Sequence, residues 1–457
     1  MRNLFVLLAF ILIASPSWAQ ERKTYSFSLE DAITFALDSN YTTINARREI
    51  AKAIKLKWET IAIGLPQIDG SLSYNNNLKQ PVTLLPADFT GGESGTFVPI
   101  VFGTKQNATA VATLNQLIFD GSYLVGLQAA RAFLDFSENA AEKTNLEVRK
   151  GVINAYGSVL LSEELITIFE KNKIALEKNL FETRIVYENG LEEEESVEQL
   201  EITLLEIITE LSNARRSANI ARQMFNVGLG IPVESSVLFT DDLDKLAEQN
   251  IQLQILDSNL NLEDNVDFKI AYNLTEQRDL EMKLEKSRSL PILKAFLNYG
   301  TQANSDSFTF FSGEQRWYQS SILGVSMDIP IFSSGMRSAK TQRAKIALDQ
   351  AKTELEETIQ IVNLELNSAK NNYLFAIEKF ENSKKNIALA ERIENKNQVK
   401  FTEGLSTSFE LRQAQTQLYF AQQVYIQSML DLINAKAAIE TVLNIPQLRI
   451  DSEDINR

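Results

Sequence analysis

Leu65-Pro66-Gln67-Ile68-Asp69-Gly70-Ser71-Leu72-Ser73-Tyr74 reads as a β-strand entered through a proline. Ile68, Gly70, Leu72 and Tyr74 alternate with Gln67, Asp69, Ser71 and Ser73, so one face is apolar and the other polar. Proline donates no ladder hydrogen bond and fits at a strand entrance. The same phrase returns at Leu290-Pro291-Ile292-Leu293-Lys294-Ala295-Phe296-Leu297-Asn298-Tyr299, with Leu293, Ala295, Leu297 and Tyr299 in the same phase. A second strand is predicted after each, over about 108–119 and about 319–332. About 10 residues per strand is enough to cross a bilayer at a tilt.

Working outward, other landmarks repeat in order. Gly121, Gly190-Leu191 and Ile231-Pro232 recur as Gly335, Gly404-Leu405 and Ile445-Pro446, each at an offset of 214 residues. The Leu-Pro pair recurs at 225, a difference absorbed by a longer first loop, 78–106 against 304–316. The chain therefore divides into a first repeat over 20–232 and a second over 263–446. An acidic connector at 233–262 joins them, and 447–457 forms a tail.

No proline interrupts Gly121 to Tyr187, which predicts a helix of about 66 residues, or roughly 100 Å. Val148, Val152, Ala155, Val159, Ile166, Phe169, Leu176 and Leu180 step by 3, 4 or 7 residues, a heptad seam. The equivalent positions 214 residues on are Val362, Leu366, Ala369, Tyr373, Ala376, Phe380, Ile387 and Ala390. Helices about half as long are predicted from Ser28 to Ile63 and from Glu194 to Gly228. Ser28 serves as N-cap of the first, with Asp31 at N3.

The N-terminus carries Arg2, an apolar run from Leu4 to Ala14, then Ser17 and Ala19 at the −3 and −1 positions of a secretory signal, so 1–19 is expected to be removed. There are 0 Cys and 0 His, which excludes disulfides, lipid attachment through cysteine, and most zinc and triad chemistry. No nucleotide-binding glycine motif is present, and no catalytic residue, metal site or cofactor is expected. The net charge of −15 speaks against nucleic acid. No apolar run after the leader is expected to cross a membrane as a helix, so any membrane span must be β. Four strands cannot close a barrel, for which about eight is the lower limit. Either several copies share one barrel or the strands form a small soluble sheet.

Taken together, these features resemble the TolC family of outer-membrane efflux proteins. The residues carrying the resemblance are Ser28-Leu29-Glu30-Asp31-Ala32, the paired Leu-Pro steps, the Phe119-Asp120-Gly121 and Phe332-Ser333-Ser334-Gly335 returns, and the tips Asn189-Gly190-Leu191 and Glu403-Gly404-Leu405. The resemblance implies a mainly α fold with transmembrane β: long coiled-coil hairpins forming an α-barrel tunnel, and four strands per protomer in a shared twelve-stranded barrel. It implies a homotrimer in outer-membrane lipid with a long periplasmic portion. A periplasmic adaptor (membrane fusion) protein and, through it, an inner-membrane transporter would be partners in efflux or type I secretion.

The resemblance places Gly190, Leu191, Gly404 and Leu405 at adaptor-contacting tips. It places Glu410 and Gln413 at the pore constriction, where relatives carry two acids one turn apart. Phe401 and Ser406 fall where relatives carry a gate tyrosine and arginine, so the usual closing links are expected to be missing. Glu192-Glu193-Glu194-Glu195 adds an acidic mouth with no counterpart in the second half. The rival reading is a periplasmic coiled-coil adaptor or structural protein, which would not need four amphipathic strands.

Overall fold

The computed structural model describes residues 24–446 and 448. The expected signal peptide and nearly all of the tail lie outside the described residues. The first elements are β1 (Thr24–Phe27), α1 (Leu29–Ser39), α2 (Tyr41–Ile63), β2 (Gln67–Asn76), β3 (Val82–Pro86), β4 (Phe97–Val101) and β5 (Gln106–Phe119). Next come α3 (Gly121–Glu188), α4 (Glu194–Leu229), β6 (Ser236–Phe239) and α5 (Leu243–Gln249). The chain continues through α6 (Val266–Ser287), β7 (Ile292–Ser305), β8 (Tyr318–Asp328), α7 (Met336–Thr402) and α8 (Ser408–Val442). The described residues form two compact units, one from 24–48, 139–268 and 359–446, the other from 49–138 and 269–358.

In the first unit, helices pack along the expected seam. Val152, Val159, Phe169 and Leu176 of α3 are buried, as are Val362, Leu366, Tyr373, Ala376 and Phe380 of α7. The long helices match closely in length, 68 residues for α3 and 67 for α7, with returns of 36 and 35. Both returns end alike. Gly230 takes φ +75° and Asn444 φ +55°, and the next amide reaches back to Asn226 and Glu440, respectively. Glycine is required at the first of these, because a Cβ there would stand 2.2 Å from the Ser39 carbonyl.

That contact also explains a departure from expectation. The helix predicted over 28–63 is two helices, broken at Asn40, whose backbone is extended. Ser39 Oγ donates to the Leu229 carbonyl at 2.6 Å, and Asn40 Nδ2 donates to that of Gly228 at 2.7 Å. The break thus satisfies the open carbonyls at the end of α4. The Ser28–Asp31 capping box of α1 is present as expected.

The connector is not irregular. β6 pairs in parallel with β1, from Thr24 opposite Ser236 to Phe27 opposite Phe239. A buried tyrosine from each long helix holds this region. Tyr156 Oη lies 3.0 Å from the Phe27 carbonyl and 3.0 Å from Asp241, which also accepts from the Leu29 amide. Tyr373 Oη donates to Asn250 O at 2.6 Å and accepts from Gln252 N at 2.8 Å.

One stretch of α3 is long and apolar enough to cross a membrane, with mean hydropathy 1.3, contrary to expectation. Much of it is buried, and α3 supplies Val152, Ile153, Tyr156 and Leu160 to the core, which accounts for its composition.

In the second unit, β2, β5, β7 and β8 form one antiparallel sheet in that order. β7 runs past its expected end to Ser305, whereas β8 stops at Asp328, short of Pro330, which cannot extend the ladder. The longer first loop contains the unforeseen hairpin β3–β4.

Candidate functional site

Two features organise possible function: the amphipathic sheet of one unit and the helical hairpin tips of the other.

On one face of the sheet lie Ile68, Leu72 and Tyr74 of β2, Leu297 and Tyr299 of β7, and Leu323, Val325 and Met327 of β8. These side chains are exposed, Leu72 at 80% and Leu323 at 78%. The other face carries Asp69, Ser71, Ser73, Asn107, Thr109, Thr113, Asn298 and Asn304. β2 pairs only with β5, and β8 only with β7, so among the described residues each outer strand keeps one unpaired edge. An exposed apolar face bounded by open edges is unfavourable in water, and open edges are worse in lipid.

At the other feature, α3 turns into α4 and α7 into α8 through the same backbone geometry. Gly190 and Gly404 take φ +75° and +70°. Their amides donate to Tyr187 and Phe401, and the following amides, of Leu191 and Leu405, donate to Val186 and Lys400. This paired closure is the Schellman motif, and it needs a residue that tolerates positive φ. Leu191 and Leu405 then project into solvent at 80% and 78% exposure.

The side chains at the tips differ. Thr407 caps α8 with a full capping box: its hydroxyl accepts from the Glu410 amide at 3.2 Å, and Glu410 Oε2 accepts from the Thr407 amide at 3.3 Å. Ser406 Oγ donates to the same carboxylate oxygen at 2.5 Å. Hydrogen bonds from the Ser406 hydroxyl and then the Thr407 amide hold Glu410 below the usual carboxylate range. Glu410 and Gln413 are both exposed, one helical turn apart, and Phe401 is half-buried at the end of α7.

Of the four acids at the first tip, Glu193, Glu194 and Glu195 are exposed, but Glu192 is turned inward. Its Oε1 accepts from Ser196 Oγ at 2.6 Å and from Ser408 Oγ at 3.0 Å, which links the first hairpin to the second. Arg412 donates to Gln199 beside this link and stacks over Phe409. Sequence reasoning missed these contacts: Glu192 and Ser408 are 216 positions apart, and Glu192 reads only as one of a run of four acids. Ser406 secures the turn of its own hairpin through Glu410. The described residues contain no cluster suited to a metal ion.

Residues 259–444 match the family model described as outer membrane efflux protein. The match covers the second repeat, so this part of the chain is similar to that family. Solved structures agree in fold over nearly the whole chain. CusC, known from crystal structures concerned with folding and transmembrane channel formation, superposes with a TM-score of 0.72 at 17% identity, covering 91% of each chain. The outer membrane protein VceC of Vibrio cholerae gives 0.71 at 16% identity, covering 91% of this chain and 95% of VceC. The Campylobacter jejuni outer membrane channel CmeC gives 0.72 at 15%, covering 93% and 88%. No match was found among curated proteins. At these identities the structures speak for the fold alone.

Proposed function

We propose that the chain is one protomer of an outer-membrane efflux channel, a passive exit duct rather than an enzyme. The observation that carries this reading is the four-stranded sheet: one apolar face exposed, one polar face, and two open edges. Copies joined β8 to β2 satisfy both edges at once and turn the apolar face to lipid and the polar face to a water-filled lumen. Three copies supply twelve strands. The two halves, 20–232 and 263–446, are repeats, each with one hairpin tip between its long helix and its return helix, and 233–262 braces them.

In this reading Gly190, Leu191, Gly404 and Leu405 form apolar knobs for a periplasmic adaptor coupled to an inner-membrane pump. Glu410, one turn before Gln413, contributes a carboxylate to a threefold ring at the mouth, where closely spaced acids favour cations. Its engagement in the cap fixes its position and keeps it ionised. Glu193, Glu194 and Glu195 add negative charge around the same mouth, while Glu192 ties the hairpins together. Phe401 packs behind the ring.

Single-channel recording of the purified protein in planar bilayers tests the reading. Discrete conductances with a cation preference that falls in Glu410→Gln are expected. Silence in the bilayer would refute the channel, and unchanged selectivity in Glu410→Gln would remove that residue from the constriction.

A further inference from the structure

The loop between β7 and β8 carries an aromatic cluster on a particular face of the sheet. Tyr74, Ala108 and Ala303 are direct partners across β2, β5 and β7, in the last rows before the loops. They belong to the face that bears Leu72, Leu297 and Leu323. Phe310 lies over the two alanines, and all three are buried. Around it, Phe308 stands 5.6 Å from both Tyr74 and Phe310, ring centre to ring centre, and Trp317 stands 6.5 Å from Phe310. Phe311 extends the group, 5.8 Å from Phe308.

Only Phe310 is satisfied by this packing. Phe308 is 60% exposed, Phe311 92% and Trp317 38%. The arrangement is nevertheless fixed from its polar side: Thr309 Oγ1 meets Ser305 Oγ at 2.9 Å and Gln315 Oε1 at 2.6 Å. At the same level on the opposite face is a row of amides, Asn75, Asn107 and Asn304, with Asn107 Nδ2 donating to Asn304 Oδ1 at 2.9 Å. Alternation along each strand sends the two rows to opposite sides. The aromatic rings of the loop therefore lie on the apolar side of the sheet.

From this placement we infer that residues 306–317 form a lipid anchor, with Phe308, Phe311 and Trp317 inserted at the boundary between head groups and acyl chains of the outer leaflet. The loop is not a lid over the exit. The inference rests on the channel reading, because the apolar face contacts lipid only if the sheet closes with its polar face inward. Its occupant follows from continuity: the cluster extends the apolar band of the sheet beyond the last rows of strand, where aromatic rings with one polar edge settle in a bilayer. A ring group this exposed and this rigidly held is unfavourable in water.

The chain has 3 tryptophans, and Trp18 lies in the expected signal peptide, so Trp58→Phe leaves Trp317 as sole reporter in the processed protein. This variant is reconstituted into phosphatidylcholine vesicles with bromine at shallow or deep acyl positions, and insertion is checked by flotation and conductance. The expected result is blue-shifted emission that loses most of its intensity to shallow bromine, less to deep bromine and little to aqueous iodide. A protein that floats and conducts, but whose Trp317 is quenched by iodide and not by brominated lipid, overturns the anchor and leaves the channel standing. A protein that neither floats nor conducts overturns the channel reading and the anchor with it.

Discussion

The two hairpin tips share a backbone and differ in their chemistry. Each closes through a glycine at positive φ, Gly190 or Gly404, with a leucine projecting beyond it. The second helix of the second hairpin then begins with a complete capping box, Thr407 with Glu410. The second helix of the first begins at Glu193 with no side-chain cap, and the neighbouring acid, Glu192, reaches across to Ser408 instead. The turn is the part that geometry fixes, because only a few residues accept the left-handed conformation. The charges around it are free to be used for a cap in one half and a cross-link in the other. One tip is held by its own sequence, and the other by its neighbour.

The largest effect should come from the shared part. Gly190→Ala and Gly404→Ala meet no neighbouring atom within 4 Å, so both pay for backbone conformation alone. Each should weaken its tip by about 1–2 kcal/mol, seen as roughly tenfold faster amide exchange there. Unequal penalties would break the claim of one common geometry.

Thr407→Ala should cost the second tip about 1 kcal/mol, whereas Glu193→Ala, with no cap to lose, should leave the first within a few tenths. Equal effects would show that the capping difference has no energetic meaning.

The smallest effect is one of pH. Glu410 is held below the ordinary carboxylate range by Ser406 and Thr407, so its ionised form is favoured in the folded tip. Its contribution is fully present above the ordinary carboxylate pKa and lost as pH falls through the depressed folded value. Protection of the α8 cap, corrected for intrinsic exchange, should fall over that acidic range in the native protein. Glu410→Gln should abolish the dependence; persistence of the same profile in that variant would assign it to another group.

Much of the fold was legible because its signals are local and repeated. The proline-free run after Gly121 gave a helix ending at Glu188, one residue beyond expectation, and the alternation after Leu65-Pro66 gave β2 nearly to the residue. What escaped depends on partners far along the chain. The break at Asn40 answers the open carbonyls of Gly228 and Leu229, and β1 and β6 are four-residue strands meaningful only as a pair. At the tips, the glycines and leucines could be read from spacing, but the inward turn of Glu192 could not, since an acidic run reads the same whether solvated or bonded.

The central claim is that the open edges of β2 and β8 close against other copies of the chain. The oligomeric mass of the protein extracted from membranes in mild detergent tests this most directly. The account predicts a complex of three chains that withstands dilution. A monomer or dimer recovered from the salt-washed soluble fraction would contradict it.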